Sequence, residues 1–439
     1  MKKSLFMNDV MKYIWKDETK TFKYYYDKAS SMDENDLYSL LENNKALVYS
    51  FDDNNMSSLI TCGCHHFQNE SVLSGCSMCN LHRKSIYTMA LLQAMKDRNE
   101  KYYSELVYKS FINARGKVEN RTIHEYLFCY DFLDPKEMPD ECLKMILSKN
   151  SGVFSRRPFI YEFECSARNI SIERLKFLKK YLGNSKVTIR IGVECADDFI
   201  RNEWLNKDIS NNQIINAIKC CKEMGINIIG NILMGIPGFT EKLSIEQFTN
   251  SVYWAFEQGI DGISCSILGR SNKSLQGFIY DSLKDSTILQ KHGLAFGEHT
   301  GLPWMFSLIK ALDNIYVNAP QILSKIYFGQ FVNSYIEQEQ STAYNYSREC
   351  SCNDLITTEI SKGQIKEKWL NGEMKAQFKN DKCYPYYLSI LEKQDKIKTV
   401  QENMLIVAQE INKNIWNDAN DSYNWFANNV NEYNKCLKA

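Results

Sequence analysis

The sequence has no excess of charge of either sign. Its 439 residues include 53 Lys and Arg and 53 Asp and Glu, so the formal net charge is zero. A strongly basic chain would indicate a nucleic-acid partner, and this composition gives no such global signal, although a local patch would not show in the count. No basic stretch with interleaved aromatic residues stands out as a surface for RNA.

Long apolar runs are also missing. No segment approaches the roughly 20 apolar residues of a membrane-spanning helix, so we expect no membrane association. The first residues break their apolar run at Asn8 and Asp9, which does not fit a signal peptide. We therefore predict a cytoplasmic protein whose fifteen cysteines are reduced thiols available to metal.

Strand and helix patterns alternate through the middle of the chain. Apolar content is 44%, which is ordinary for a globular protein, and the length suggests two or three domains. Residues 1–56 predict a helical N-terminal cap. Residues 57–300 predict six β/α units, and residues 301–439 are mostly helical with a cysteine-containing insertion at 341–384. The fold class is α/β, a partial (β/α)6 TIM-like barrel with helical extensions at both ends.

The predicted strands place the chemistry at one end of this barrel. They cover residues 58–63, 123–129, 159–164, 187–194, 226–234 and 262–267. Active sites of such barrels lie at the carboxyl ends of the strands. The last predicted helix has one apolar face and is expected to dock on the barrel or close its open side; the face consists of Val400, Met404, Val407, Ile411 and Ile415.

A cysteine loop follows the first predicted strand. Cys64, Cys76 and Cys79 offer three thiolates to a [4Fe–4S] cluster, one fewer than its usual four, which leaves one iron open to a chelating small molecule. The Cys76-x-x-Cys79 pair also fits a zinc site completed by Cys62 and Cys64. A third interpretation is that these cysteines merely pack in a core.

The motifs around this loop resemble those of a known family. Eleven residues separate Cys64 from Cys76, and the runs Gly63-Cys64 and Gly75-Cys76-Ser77-Met78-Cys79 are similar to elements of radical S-adenosylmethionine (SAM) enzymes. The resemblance is strongest to the branch containing the Elongator catalytic subunit and the archaeosine-forming enzymes (RaSEA). It extends over roughly residues 57–320, through the segments 127–135, 163–168, 191–198 and 301–308.

The resemblance implies a set of cofactors and partners. A [4Fe–4S] cluster on Cys64, Cys76 and Cys79 would bind SAM at its open iron. An electron from a flavodoxin- or ferredoxin-type donor would cleave SAM and yield a 5′-deoxyadenosyl radical, which abstracts hydrogen from the substrate. The residue that completes the reaction is unknown, and the reaction subclass (lyase, oxidoreductase or transferase) is open.

Carried onto this chain, the family pattern predicts SAM contacts at the ends of the strands. The predicted contacts are Tyr130, Asp131, Glu164, Glu194, Arg201 and Asn231. The bulk of Tyr130 departs from the Ser-Gly-Ser-like run of the family. Glu164 and Glu194 could instead pair with a nearby arginine such as Arg168 or Arg201, and Arg201 could simply be a surface residue.

Cysteines near the end of the chain form a possible second metal site. Cys350, Cys352 and Cys383 could bind zinc or an auxiliary Fe–S cluster, with Cys62 or one of the adjacent His65 and His66 as a further ligand. The alternative is that they are free thiols.

Three functions remain open from the sequence. By resemblance, the substrate of the radical enzyme is a modified tRNA nucleobase, with a possible partner enzyme that supplies the RNA-binding surface. The same chemistry could act on a peptide or small metabolite in natural-product biosynthesis. A different class of function is a zinc-stabilised structural or interaction protein.

Overall fold

A computed structural model describes residues 5–43, 56–69, 72–83, 85–115, 124–148, 160–295, 301–328 and 383–436. One parallel sheet of seven strands forms its framework, and a two-stranded hairpin lies apart from it. In chain order the strands are β1 (Met56–Ser58), the hairpin β2 (Gln68–Asn69) and β3 (Val72–Leu73), β4 (His124–Phe128), β5 (Ile160–Cys165), β6 (Lys186–Glu194), β7 (Asn227–Met234), β8 (Gly262–Ile267) and β9 (Ile326–Phe328).

The large sheet follows the order of the sequence. Its strands neighbour one another as β1-β4-β5-β6-β7-β8-β9, and every pair is parallel. The sheet curls into a half-barrel, so the predicted α/β class and partial TIM-like barrel are confirmed. The prediction did not include β9, a three-residue strand that extends the sheet beyond β8.

The first strand is shorter than predicted and ends at Ser58. Beyond Leu59, whose amide still donates to the Phe128 carbonyl, backbone amides are bonded by side chains: Ser110 Oγ accepts from the Ile60 amide and Tyr103 Oη from the Cys62 amide. Because these hydroxyls satisfy the backbone, the segment leaves the sheet and enters the cysteine loop early.

Helices cover the outer face of the sheet. Their bounds are Ile86–Arg98, Glu100–Arg115, Asp140–Leu147, Ile172–Leu182, Asn211–Glu223, Glu241–Glu257 and Met305–Asn318. Ser171 begins one of them by accepting a hydrogen bond from the Arg174 amide, and Gly183 ends it at a φ of 62°, both as the sequence predicts. Alternate strand residues such as Phe163, Ile189 and Ile228 point outward into the core beneath these helices. The polar residues between them line the concave inner face.

A second core lies at the cysteine end of the barrel, where both terminal regions meet. The N-terminal helices are Leu5–Ile14, Lys16–Ser31 and Glu34–Glu42, and the C-terminal ones are Tyr384–Gln394, Val400–Trp416 and Asp421–Cys436. Asn403 holds the turn after β7, because its side chain accepts from the Thr240 amide (2.9 Å) and donates to the Gly238 carbonyl (2.8 Å). The predicted docking of the last apolar helix onto the barrel is therefore confirmed.

Shorter elements complete the described residues. The helices Leu275–Ser282, Thr287–Lys291 and Pro320–Leu323 follow β8, a 3-10 turn covers Ala167–Asn169, and a π-helical turn covers Ile200–Trp204. None of the helices in the described part of the chain is long and apolar enough to cross a membrane.

Candidate active site at the carboxyl end of the barrel

The three predicted cluster cysteines come together at the end of the first strand. Burial raises the pKa of the Cys64 thiol well above its ordinary value, and the charges of Glu137, Cys76 and Cys79 raise it further. Burial likewise raises the pKa of Cys76 to about 12 and that of Cys79. The loop backbone also draws the three residues together, because the Phe67 amide donates to the Cys64 carbonyl, the Ser74 amide to the Phe67 carbonyl and the Cys79 amide to the Cys76 carbonyl. A cationic metal centre would lower the pKa of these thiols, since a coordinated thiol loses its proton.

Cys62 is set apart from this group. It is 1% exposed and lies in the apolar core, where Tyr103 Oη donates to its sulfur at 3.4 Å. Burial raises the pKa of its thiol to about 12, and the charges of Glu137 and Asp97 act in the same direction. The Cys64 thiol, by contrast, is affected by Cys76 and Cys79, so of the two upstream cysteines Cys64 is the one that adjoins that pair.

Two backbone features fix the loop. Gly63 and Gly75 have φ values of 96° and 82°, which residues with a side chain rarely adopt. In addition, a Cβ on Gly63 would lie 2.3 Å from Met89 Cε. Between them, the hairpin β2–β3 turns the chain back. Ser77 lies between Cys76 and Cys79 and connects them to the π-helical turn. Its amide donates to the Leu205 carbonyl (2.9 Å) and its hydroxyl to the Trp204 carbonyl (2.9 Å).

A neutral histidine lies behind Cys64. The His82 ring is sandwiched between Phe67 and Tyr130, with centroids 4.1 and 4.0 Å away, and its Nε2 accepts from the Cys64 amide at 3.2 Å. Burial lowers the pKa of His82 to about 3, so the ring stays an acceptor at neutral pH. Tyr130, which the sequence predicted as a SAM contact, thus forms an aromatic wall beside the cysteines.

No three His, Cys, Asp or Glu side chains surround a single metal ion in the described part of the chain. The cysteine ligands of a cubane bind different iron atoms, so they stand farther apart than the ligands of one ion. Three cysteine thiols are the donor set for a [4Fe–4S] cluster that keeps one iron open.

A buried ion pair adjoins the cysteines. Lys207 Nζ donates to Glu194 Oε1 at 2.7 Å, and both side chains are largely buried. Burial lowers the pKa of Lys207, but Glu194 and then Cys76 raise it further than burial lowers it. The neighbouring Asn206 donates from Nδ2 to the Gly75 carbonyl at 2.7 Å, which holds this segment against the residue before Cys76. Glu194 has a φ of 58°, which is uncommon outside glycine, and it follows a bulge in β6.

Gly192 makes room for this ion pair. A Cβ at Gly192 would lie 2.4 Å from Lys207 Nζ and 2.5 Å from Glu194 Oε1. The residue points to the concave face, so the two charged groups occupy the inside of the barrel directly above the strand.

Asp131 and its neighbours form the turn after β4. The Asp131 carboxylate accepts from Asn169 Nδ2 at 2.6 Å, and burial raises its pKa to about 7. Glu137 is fully buried and accepts from the amides of Tyr130 (3.0 Å) and Asp131 (2.8 Å) and from the Thr61 hydroxyl (2.7 Å). Asp131 is thus occupied within the protein, and Glu137 holds the turn in place.

Glu164 and Asn231 lie together on the concave face. Asn231 Nδ2 donates to Glu164 Oε2 at 3.1 Å, and the Tyr126 hydroxyl donates to Oε1. Glu164 therefore does not pair with Arg168, which binds Asp208 instead.

Arg201 is a buried structural residue. It is 0% exposed, and its guanidinium donates to the carbonyls of Ile209 and Cys195 (both 2.7 Å) and to the side chains of Asp198 and Asn211. The surface position considered from the sequence is wrong. The donors are directed at the turn around the π-helix, so this placement gives no support to a grip on the SAM carboxylate.

The family match decides the class of the domain. Residues 59–249 match the model of the radical SAM superfamily. This region is a radical SAM domain. The match spans the cysteine loop, the Lys207–Glu194 pair and strands β2 to β7, so it includes every residue of the site described above.

One curated relative is the uncharacterized protein MJ0550 of Methanocaldococcus jannaschii, which is 26% identical over 231 residues. The match covers 53% of this chain and 56% of that protein, so it spans about half of each.

Solved structures of radical SAM enzymes are similar at low scores. Coproporphyrinogen III oxidase (HemN) from Escherichia coli is 15% identical, with 63% of this chain and 55% of that chain covered and a TM-score of 0.37. The radical SAM methyltransferase TsrM from Kitasatospora setae is 12% identical, with coverage of 53% and 40% and a TM-score of 0.33. Scores of this size transfer no substrate or reaction.

The predicted second metal site is only partly visible. Cys350 and Cys352 lie outside the described residues, and Cys383 is buried in the core near Tyr387. The proposed histidine ligands have other contacts: His66 Nε2 lies 2.6 Å from the Asn206 carbonyl, and His65 Nε2 lies 2.9 Å from Lys136 Nζ. The second site remains a prediction.

Sequence reasoning missed three residues of the site: Lys207, His82 and Glu137. Each lies in a loop or turn several residues from the motif it serves, and no periodicity marks it. A weak signal existed for Lys207, since it follows Asn206 and precedes Asp208, both with positive φ, and Asn and Asp are among the residues that tolerate such backbone.

Proposed function

We propose that this protein is a radical SAM enzyme that binds a [4Fe–4S] cluster through Cys64, Cys76 and Cys79 and SAM at the open iron. The proposal rests on one observation. The three cysteine thiols and the buried Lys207–Glu194 pair lie together inside the mouth of a parallel half-barrel. When bound and reduced, the cluster and SAM supply a 5′-deoxyadenosyl radical that abstracts hydrogen from a substrate.

The chain's own residues would bind and orient the cofactor. Lys207 offers an ammonium to the SAM carboxylate, because it is the cation beside Cys76. Glu194 offers acceptors to the amino group or ribose hydroxyls of SAM. His82 and Tyr130 form a stacked wall that would exclude water from the Cys64 side of the cluster.

Two substrate classes are compatible with this site. The spacing of the cysteine loop favours a modified tRNA nucleobase, as in the Elongator and RaSEA branch, with an electron donor of the flavodoxin or ferredoxin type and a partner enzyme for RNA binding. The bulk of Tyr130 at the site favours the second class, a peptide or small metabolite.

Anaerobic reconstitution tests the proposal. The purified protein, supplied with iron and sulfide, is expected to turn brown, to bind about four irons per chain, and to release 5′-deoxyadenosine from SAM when reduced by dithionite. A colourless protein that contains zinc and no iron would instead support the zinc-stabilised structural class.

A further inference from the structure

Below the ion pair, the concave face of the barrel contains a second group of charged residues. Glu162 and Glu164 on β5 point inward with Arg190 on β6 and with His124 and Tyr126 on β4. We call these five residues, together with Asn231 on β7, the inner network.

The inner network lies deeper in the barrel than the cysteine end. Glu164 pairs in register with Arg190, whereas Glu194 stands four residues further along the same strand. Because of the bulge in β6, Arg190 lies beside Ile229 of β7 and Glu194 beside Ile232, three residues further on. At about 3.3 Å per residue, the backbone of Glu164 therefore lies about 10 Å below that of Glu194. Since Glu194 and Lys207 adjoin the cysteines, Glu164 occupies the part of the lumen beyond the cofactor.

The two glutamates of the network differ in their partners. Glu162 has two basic partners. Arg190 Nε donates to one carboxylate oxygen, and His124 Nε2 lies 2.9 Å from the other. Glu164 receives only neutral donors, the Tyr126 hydroxyl and the Asn231 amide. No Lys, Arg or His of the described chain forms an ion pair with Glu164.

The basic groups of the network are unevenly placed. Arg190 and His124 both contact Glu162, so among the described residues Glu164 is the carboxylate of the network that has no ion-pair partner. Burial raises the pKa of Glu164, which the hydrogen bond from Tyr126 and the charge of Arg190 only partly offset. A carboxylate in such surroundings is stabilised by a bound cation.

We propose that the substrate carries a cationic amino group, an ammonium or amidinium, which binds to Glu164 in the lumen. This inference rests on the proposed function, because it assigns the space beyond the cofactor to the substrate. Glu164 is then a specificity-determining residue, and Tyr126 and Asn231 orient its carboxylate toward the incoming cation.

The test measures the binding of a small probe to the reconstituted protein with SAM present. Ligand-observed NMR gives the affinity of n-butylammonium and of its neutral analogue 1-butanol. We expect butylammonium to bind in preference to butanol, and Glu164→Gln to weaken it at least about tenfold because the charge is lost. Glu246→Gln is the matched control. It removes one carboxylate from an exposed helix position outside the lumen, so the affinity for butylammonium should stay at the wild-type value.

Each other outcome overturns the inference. Equal affinity of E164Q and wild type for butylammonium would show that the amine does not bind at Glu164. Equal binding of butylammonium and butanol would show that the positive charge is not recognised. A loss of SAM affinity in E164Q would assign Glu164 to the cofactor. Failure of the proposed function is read separately, as a wild-type protein that takes up no iron and forms no 5′-deoxyadenosine.

Discussion

The upper and lower parts of the barrel lumen are built in different ways. At the top, the functional side chains come from loops and from the end of β6, where the backbone has positive φ values, as at Glu194 itself and at Gly63 next to Cys64. In the inner network below, they come from regular strand positions at alternate residues, as at Glu162 and Glu164. Loops can bring distant residues around a cofactor, whereas strand positions give a rigid pattern of side chains at fixed spacing.

The two levels are suited to different ligands. Both lie within the part that matches the radical SAM model, and the upper level consists of groups suited to the cofactor of that superfamily. The inner network lies deeper, where its charged groups would face the substrate. Variants at the two levels should therefore change different measurements, cofactor content and affinity at the top and substrate affinity below.

The largest effect is expected from Cys76→Ala. Removal of one thiolate from a three-cysteine site should reduce the iron content to background and abolish 5′-deoxyadenosine formation, as measured by iron and sulfide assay and chromatography. Cys62→Ala is the matched control, since Cys62 is buried among core residues, where its sulfur accepts from the Tyr103 hydroxyl. If C62A loses iron and C76A keeps it, the ligand assignment is reversed.

A large effect on SAM affinity is expected from Lys207→Met. Loss of the ammonium should raise the dissociation constant of SAM at least about tenfold, while the iron content stays at the wild-type level. Equilibrium dialysis with labelled SAM measures this. The exposed Lys219→Met serves as control and should bind SAM normally. Unchanged SAM affinity in K207M would leave the buried pair with a structural role only.

A smaller effect is expected from Gly192→Ala. The added methyl group would contact Lys207 Nζ and Glu194 Oε1, which are the ends of flexible side chains and can move. SAM affinity should therefore fall by about threefold, less than in K207M, with little change in the melting temperature. Wild-type SAM affinity in G192A would show that the ion pair does not need a residue without a side chain at position 192.

The smallest effect is a change in pH dependence in Glu137→Gln. Burial raises the pKa of Glu137 from 4.5 to about 8. Between these values the unfolded chain has lost the proton that the folded protein keeps, so folding stability falls as the pH rises toward 8. Glutamine has no such proton, and the melting temperature of E137Q should decline less from pH 5 to pH 8, by about 2–4 °C. Exposed Glu246→Gln should keep the wild-type slope.

The sequence predicted the barrel well because strand and helix patterns are local. Ser171 and Gly183 mark a helix by capping chemistry alone, and both are confirmed. It predicted little of the site's internal pairing. Glu164 and Glu194 look alike as carboxylates near strand ends, yet one meets a tyrosine and an asparagine and the other a lysine. Those partners lie on other strands and loops, so residue spacing within one segment cannot predict which partner each carboxylate has.

The meeting of both chain ends at the cysteine loop has a consequence for how the protein is made. Phe6 stacks on Phe426 with ring centroids 5.2 Å apart, and Asn403 holds the turn at Gly238. During synthesis, the first helix must therefore wait for the last one to leave the ribosome before the second core can close. The cysteine loop is translated well before Phe426, so the core beside it can close only after the helix Asp421–Cys436 has been made.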